Sequence, residues 1–539
     1  MYVKIMLKLY VKSEVNSTMN ILVALTGTTG AMGGEALLSL LQSCKNIRVR
    51  CILYEKEKRI PKFVKNTLKK YADRVEAFRG DIARYDDCAR LVDGANYVIN
   101  CASLIPPKSD HDPDGTYHSN FVGTKNIVDA ILADGNTAAL VHIATVALYG
   151  HRAYPHIWGR VGDPIISSDY DVYSMYKLKA EKYVLESGLN KFVSLRQTAV
   201  LHKYMFKNNL KDGLMFHTSW NCALEWVTDY DSGVLCKNLV ERDVDGKLAG
   251  FWNRAYNIGG GEDCRVTGYE TIDAGFRLMG KGAKKFFKPN WNIARNFHGV
   301  WFYDGDELND YLGFRSESFN DFWQRMSKKY GYFKLGKIVP ASLISSLAIK
   351  RLFKSTNSPR YWLKHGKEGR IKAFFGGVDA YNKIPCDWKN YNLLNEGRLE
   401  DGSPVDYSAL KSRQNAKPYL LDHGYDESKP TESLCLDDLK QAAEFRGGKC
   451  LAKEYSADAL HTKVLWRCRD GHEFGLTPYT VLKGGYWCPF CCEPRPWRYG
   501  AVADIPFYKQ VWFDSHTVSE VNDVYPLSEH EDDFIKRKK

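Results

Sequence analysis

The chain has 539 residues, 44% hydrophobic and 13% aromatic, a composition that excludes a disordered polymer and a length that one hydrophobic core does not serve. No apolar run reaches the ~20 residues of a membrane-spanning helix, and Met1–Asn20 lacks the apolar core and cleavage site of a secretion signal. The formal net charge of +12 would suit nucleic acid, but it reads as spread over solvated lysine faces.

Residues 1–18 read as an N-terminal extension, because Met19 directly precedes the first strand pattern. Ile21–Leu25 is almost wholly apolar, as expected of a parallel strand buried on both faces. Thr26, Gly27, Gly30 and Gly33 follow as T-G-x-x-G-x-x-G and lead into a helical run, Glu35–Leu41. Strand, glycine turn and helix in that order suit a phosphate: Gly27 for the turn, Gly30 for close backbone approach, Gly33 for helix–strand packing. The helix N-terminus then offers unpaired N–H groups and a positive dipole to the phosphate charge. Further strands are predicted at Ile47–Tyr54, Val75–Arg79, Asn96–Cys101, Leu140–Thr145 and Lys191–Leu195, with helices at Asn120–Ala133 and Tyr173–Ser187. Such alternation predicts an α/β fold, a doubly wound parallel sheet with ligand at the carboxyl ends of its strands.

Tyr173 and Lys177 are four residues apart and share one face of the predicted helix, with Thr145 ending the fifth strand. A free phenol has a pKa near ~10, and a neighbouring ammonium or an oxidised nicotinamide favours the phenolate, which brings it toward acid–base work. A hydroxyl such as Thr145 can hold a substrate oxygen beside it.

Together TGTTGAMG (26–33), GD (80–81), NCAS (100–103), NFVGTKN (120–126), IATVALYG (143–150), YSMYK (173–177) and LRQTAVL (195–201) make residues 19–335 resemble an extended short-chain dehydrogenase/reductase of the epimerase/dehydratase and 3β-hydroxysteroid dehydrogenase type. The resemblance implies a Rossmann fold with a smaller substrate domain. It implies Tyr173 as acid/base, Lys177 on the nicotinamide ribose, Thr145 on the substrate oxygen and Asn120 as a holder of the geometry. It implies Gly27, Thr29, Gly30, Ala31, Met32 and Gly33 at the cofactor phosphates, with Asp81, Ile82, Cys101, Ala102 and Ser103 toward the adenine end. NADP is favoured weakly over NAD, because Lys56 and Arg59 follow the second strand, while Glu55 would suit NAD. The aromatic set Tyr204, Phe206, Met215, Phe216, Trp220 and Trp226 would suit a steroid-like substrate, although ordinary core packing accounts for most of it. Val146-Ala147 stand where the family's dehydratases carry Asp-Glu, which disfavours sugar dehydration.

Residues 336–430 read as a connecting region whose aromatics need burial. Residues 431–539 contain Cys468-x3-His472 and, fifteen residues on, Cys488-x2-Cys491, flanked by Trp466 and Trp487. Two close pairs on tight turns can place one nitrogen and three sulfurs around zinc. The pattern resembles a zinc ribbon, which implies a closed, structural site in a module that folds on its own metal. Cys450, His461 and Cys492 are spare candidates. The acidic stretch Glu529–Asp533 dilutes any basic stripe.

The reading is an NAD(P)-dependent oxidoreductase on a hydroxyl/ketone pair. Its alternatives are a nucleotide-sugar 4-epimerase and a non-catalytic cofactor-sensing or nucleic-acid-binding protein. A small-molecule substrate and a cytoplasmic, thiol-reducing location are expected, with a homodimer left open and neither nucleic acid nor membrane as partner.

Overall fold

The computed structural model describes residues 20–205, 211–492 and 503–520. The readings of residues 1–18, of Phe206 and of Glu529–Asp533 lie outside them.

Seven strands form one parallel sheet: β1 (Ile21–Thr26), β2 (Ile47–Tyr54), β3 (Val75–Gly80), β4 (Tyr97–Asn100), β5 (Ala139–Thr145), β6 (Phe192–Gln197) and β7 (Arg254–Ile258). Their order is β3-β2-β1-β4-β5-β6-β7, so the chain reverses direction across the sheet between β1 and β4. That reversal opens a crevice at the carboxyl ends of the central strands. Alternation along β1 divides the apolar core: Val23 and Leu25 belong to one face, Ala24 to the other. On the first face α1 (Ala31–Leu41) packs along α4 (Asp229–Val244), and a Cβ on Gly233 would sit 2.7 Å from the Glu35 backbone. On the second lie α2 (Gly123–Ala133) and α3 (Val172–Leu185), the latter carrying Tyr173 and Lys177. The helix predicted from Asn120 begins as a π-helical turn, Tyr117–Val122.

Residues 336–430 are built from short helices that bury their aromatics, as expected of them. In α5 (Pro359–Lys364) and α6 (Glu368–Phe375), Trp362, Phe374 and Phe375 are buried, and Trp388 packs edge-on to Trp220 at 4.9 Å. The segment packs into the fold through these aromatics.

The C-terminal sheet pairs β8 (Lys449–Cys450), β9 (Val464–Arg467) and β10 (Glu473–Leu476), all antiparallel. It does not stand apart. The Tyr479 hydroxyl accepts from the Ala255 N–H on edge strand β7 at 2.6 Å, and Thr477 donates twice to Glu186, at 2.9 and 3.0 Å. The otherwise open edge of the parallel sheet is thereby covered. The Tyr486 hydroxyl donates to Glu181 of α3 at 2.7 Å, and Arg196 of β6 donates to the Gly484 carbonyl at 2.7 Å.

Candidate active site and metal cluster

The glycine turn is shaped by close approach. Gly27 has φ +70°, and a Cβ there would lie 2.6 Å from the Cys101 carbonyl carbon. A Cβ on Gly33 would lie 2.2 Å from the Gly27 oxygen. Helix α1 begins at Ala31, four residues earlier than read from sequence, so its free N–H groups face the turn. Thr26 ties this turn to the next strand end: its hydroxyl donates to Asn100 at 2.8 Å and accepts from the Ala102 N–H at 2.9 Å.

Around this turn lies a cleft of about 1510 Å³, larger than the ~300–1,000 Å³ of a typical small-ligand pocket. Gly27, Thr29, Gly30, Ala31, Met32, Gly33, Lys56, Arg59, Asp81, Cys101, Ser103, Thr145, Tyr173 and Lys177 all line it. Three expected residues stand behind the wall. Ala102 spends its N–H on Thr26, and Ile82 is buried against Gly123. Asn120, fully buried, clamps Leu104 by accepting from its N–H (2.7 Å) and donating to its carbonyl (3.0 Å), so it shapes the loop that carries Ser103.

Tyr173, Thr145 and Ser103 share one stretch of the cleft wall. Burial pushes its phenol up to about 12, the Thr145 and Ser103 hydroxyls favour the phenolate, and Asp171 opposes it. Lys177 donates to the Ile143 carbonyl, and burial pushes its ammonium down to about 8 against the pull of Glu181.

At the second strand's end, Glu55 is held by both terminal nitrogens of Arg84 at 2.8 Å. Lys56 and Arg59 are exposed on the cleft wall. Tyr204, Met215 and Trp226 also line the cleft, whereas Phe216 and Trp220 are fully packed core. Asn357, Arg370 and Phe374 complete that wall. Sequence reasoning missed them because they come from the segment read as a connector.

The second cluster is Cys468, His472, Cys488 and Cys491, whose ligand atoms all lie within 4.8 Å of one another. Cys468 Sγ is 3.4 Å from His472 Nδ1 and 3.7 Å from Cys491 Sγ; His472 Nδ1 is 3.3 Å from Cys491 Sγ and 3.8 Å from Cys488 Sγ. A tetrahedron with Zn–S of ~2.3 Å and Zn–N of ~2.0 Å has edges of about 3.5–3.8 Å, so the donors fit zinc. The β9–β10 turn supplies the first pair, with Gly471 at φ +83°. His461 stacks on Tyr479, and Cys450 lies outside the cluster; the Cys492 side chain is outside the described residues.

Residues 23–217 match the NAD dependent epimerase/dehydratase family. A stretch of 161 residues is 24% identical to uncharacterized protein 052L of Frog virus 3 (isolate Goorha), covering 30% of this chain and 43% of that protein. A stretch of 117 residues is 29% identical to 3 beta-hydroxysteroid dehydrogenase type 7 of Homo sapiens, covering 21% of this chain and 31% of that protein. The chain thus spans less than half the length of these curated relatives. Among solved structures, dTDP-glucose 4,6-dehydratase from Bacillus anthracis str. Ames, in complex with NAD, matches 59% of this chain and 98% of its own with TM-score 0.45 and 16% identity. UDP-glucuronic acid 4-epimerase from Bacillus cereus, in complex with NAD, matches 59% and 98% with TM-score 0.44 and 18% identity.

Proposed function

We propose that this protein is an NAD(P)-dependent oxidoreductase that interconverts a hydroxyl and a ketone on an apolar, steroid-like small molecule. The observation that carries the reading is Tyr173, set with Thr145 and Ser103 on the wall of the cleft that begins at the glycine turn. The glycine cradle, where a Cβ would collide with backbone, fits a dinucleotide pyrophosphate. A bound nicotinamide supplies or accepts the hydride. Tyr173 delivers the proton to the substrate oxygen in reduction and removes it in oxidation, while Thr145 holds that oxygen. Lys177 lies one helical turn on, placed for the ribose. The exposed Lys56 and Arg59, beside a Glu55 engaged by Arg84, favour NADP over NAD.

Met215, Trp226, Phe276 and Phe374 support an apolar substrate. The four-residue cluster is read as a structural zinc site, because its donors are all protein side chains and none lines the cleft. Among the described residues every cysteine is a free thiol, which supports a reducing, cytoplasmic location. The test is a screen of ketones, steroids and UDP-sugars against purified protein with NADPH and NADH, followed by nicotinamide absorbance. Net oxidation of the nicotinamide with an apolar ketone is expected. Tightly held cofactor, with sugar epimerisation and no net absorbance change, would replace this reading with the 4-epimerase.

A further inference from the structure

The positive charge is not spread evenly, as a first reading of the chain suggests. Residues 322–367 contain eleven lysines and arginines and no aspartate or glutamate, against a net charge of +12 for the whole chain. Within that stretch the fold exposes apolar side chains. Tyr332, Leu335, Ile338, Val339, Leu343 and Leu347 are six of the eighteen exposed large hydrophobic residues among those described. Ile338 is 82% exposed, and Leu335 and Leu347 are each 67% exposed. Scattered exposed apolar residues need no explanation, but a contiguous patch does.

The patch has a defined shape. Gly331–Lys337 and Ala341–Lys354 are helical and bent by 113° across the short break that contains Pro340. The second arm buries Ser345, Ile349 and Leu352, and the Ser345 hydroxyl donates to the Phe286 carbonyl at 2.8 Å. Leu343, Leu347, Lys350 and Lys354 are spaced by three and four residues, so they share the outward face. The result is an elbow anchored on one side, with an aliphatic apex and lysines along its flanks.

We propose that the elbow 331–354 docks this protein on an anionic phospholipid bilayer. Aliphatic side chains at the apex would enter the boundary between headgroups and acyl chains, and the flanking cations would sit on acidic headgroups. Charge and side-chain type choose this occupant. Sequence-tolerant nucleic-acid surfaces stack bases on aromatic rings, whereas five of the six exposed residues here are aliphatic. A second copy laid face to face would oppose the same cations. The two arms together are apolar enough for a span, but their 113° bend and the anchoring of the second arm through Ser345, Ile349 and Leu352 keep the contact at the bilayer surface.

The elbow also adjoins the cleft. The Tyr330 hydroxyl donates to the Lys203 carbonyl, and the Lys329 ammonium lies 5.9 Å from the centre of the Tyr204 ring. Lys203 and Tyr204 both line the cleft. Docking by the elbow would bring that mouth to the bilayer, where an apolar substrate of the proposed kind dissolves; the docking itself does not depend on that reading.

The test is co-sedimentation of the full chain with phosphatidylcholine vesicles, with and without roughly 30% phosphatidylserine. Binding to the phosphatidylserine vesicles is expected, falling about tenfold as salt rises from ~0.1 to ~0.5 M. Leu335→Glu combined with Ile338→Glu should abolish it without shifting the melting temperature, since both side chains are exposed. Equal recovery in the supernatant with both vesicle types overturns the proposal, as does undiminished binding of the double variant. Dimerisation of the wild type that the double variant abolishes, with no vesicle binding, would assign the face to a second copy and overturn it too.

Discussion

Tyr173 is protonated at neutral pH in the state described, because burial holds its phenol near 12. That suits proton donation to a ketone and handicaps proton removal from an alcohol. The two directions should therefore differ in pH dependence. Below the phenol's pKa the phenolate fraction grows tenfold per pH unit, so alcohol oxidation should rise steadily from pH 7 to pH 9. Ketone reduction, fed by the phenol, should stay flat over the same range; a Tyr173→Phe variant that keeps the wild-type rate and pH profile would remove Tyr173 from the acid/base role. Tyr173→Phe should lower turnover by roughly 10²–10⁴-fold and leave dinucleotide affinity nearly unchanged. Under the proposed function, cofactor choice rests on other single residues. Arg59 and Lys56 are exposed on the cleft wall, while Glu55 already serves Arg84. Calorimetry should find NADPH bound more tightly than NADH, with Arg59→Ala narrowing the difference; equal affinities in the wild type would end the case for NADP.

At the scale of elements, helix α3 is fixed at both ends by groups distant in the chain. Its first turn is capped by Asp171, whose carboxylate accepts from the Ser174 N–H at 2.9 Å. The preceding loop is gripped by Asn296, which accepts from the Asp169 N–H and donates to its carbonyl, both at 2.9 Å. Further along, Glu181 is fully buried and receives Arg196, the Ser194 hydroxyl and the Tyr486 hydroxyl. Removing one member of a buried ion pair costs about 3–5 kcal/mol, since the other charge stays behind unpaired. Glu181→Ala should therefore destabilise by about that amount in urea denaturation, and Tyr486→Phe by only ~1–2 kcal/mol because Arg196 remains. Six strands and the face shared by Tyr173 and Lys177 were legible because apolar runs and i, i+4 spacing are local signals. Strand β7, Arg-Ala-Tyr-Asn-Ile, was missed: it is short, begins and nearly ends in polar residues, and owes its place to pairing with β6. The partners of Glu181 lie up to 305 residues away in sequence, where no periodicity points.

Across the whole molecule, the cysteine–histidine module shares core residues and hydrogen bonds with the parallel-sheet domain. A zinc ribbon met in sequence suggests a bead that folds and unfolds alone. Here Trp466, Phe474 and Trp487 form the ribbon's core, but Tyr479 and Tyr486, a few residues on, belong to the core around α3 and β5. Cys488 lies near enough to act electrostatically on Lys182 of α3. Zinc binding in isolated fingers supplies on the order of 10 kcal/mol of folding free energy, as much as a whole domain's stability. Losing it should release the β9–β10 turn, then the Tyr479 and Tyr486 anchors, and then the covered edge of β7. Chelation, or Cys488→Ser, should therefore lower one shared melting transition and weaken dinucleotide binding in step with it. Calorimetry with and without chelator, read beside cofactor fluorescence, tests this. Two resolved transitions, with dinucleotide binding surviving the first, would show the ribbon to be an independent bead. Loss of hydride transfer while that shared transition is still intact would show the metal to be catalytic, against its placement away from the cleft wall.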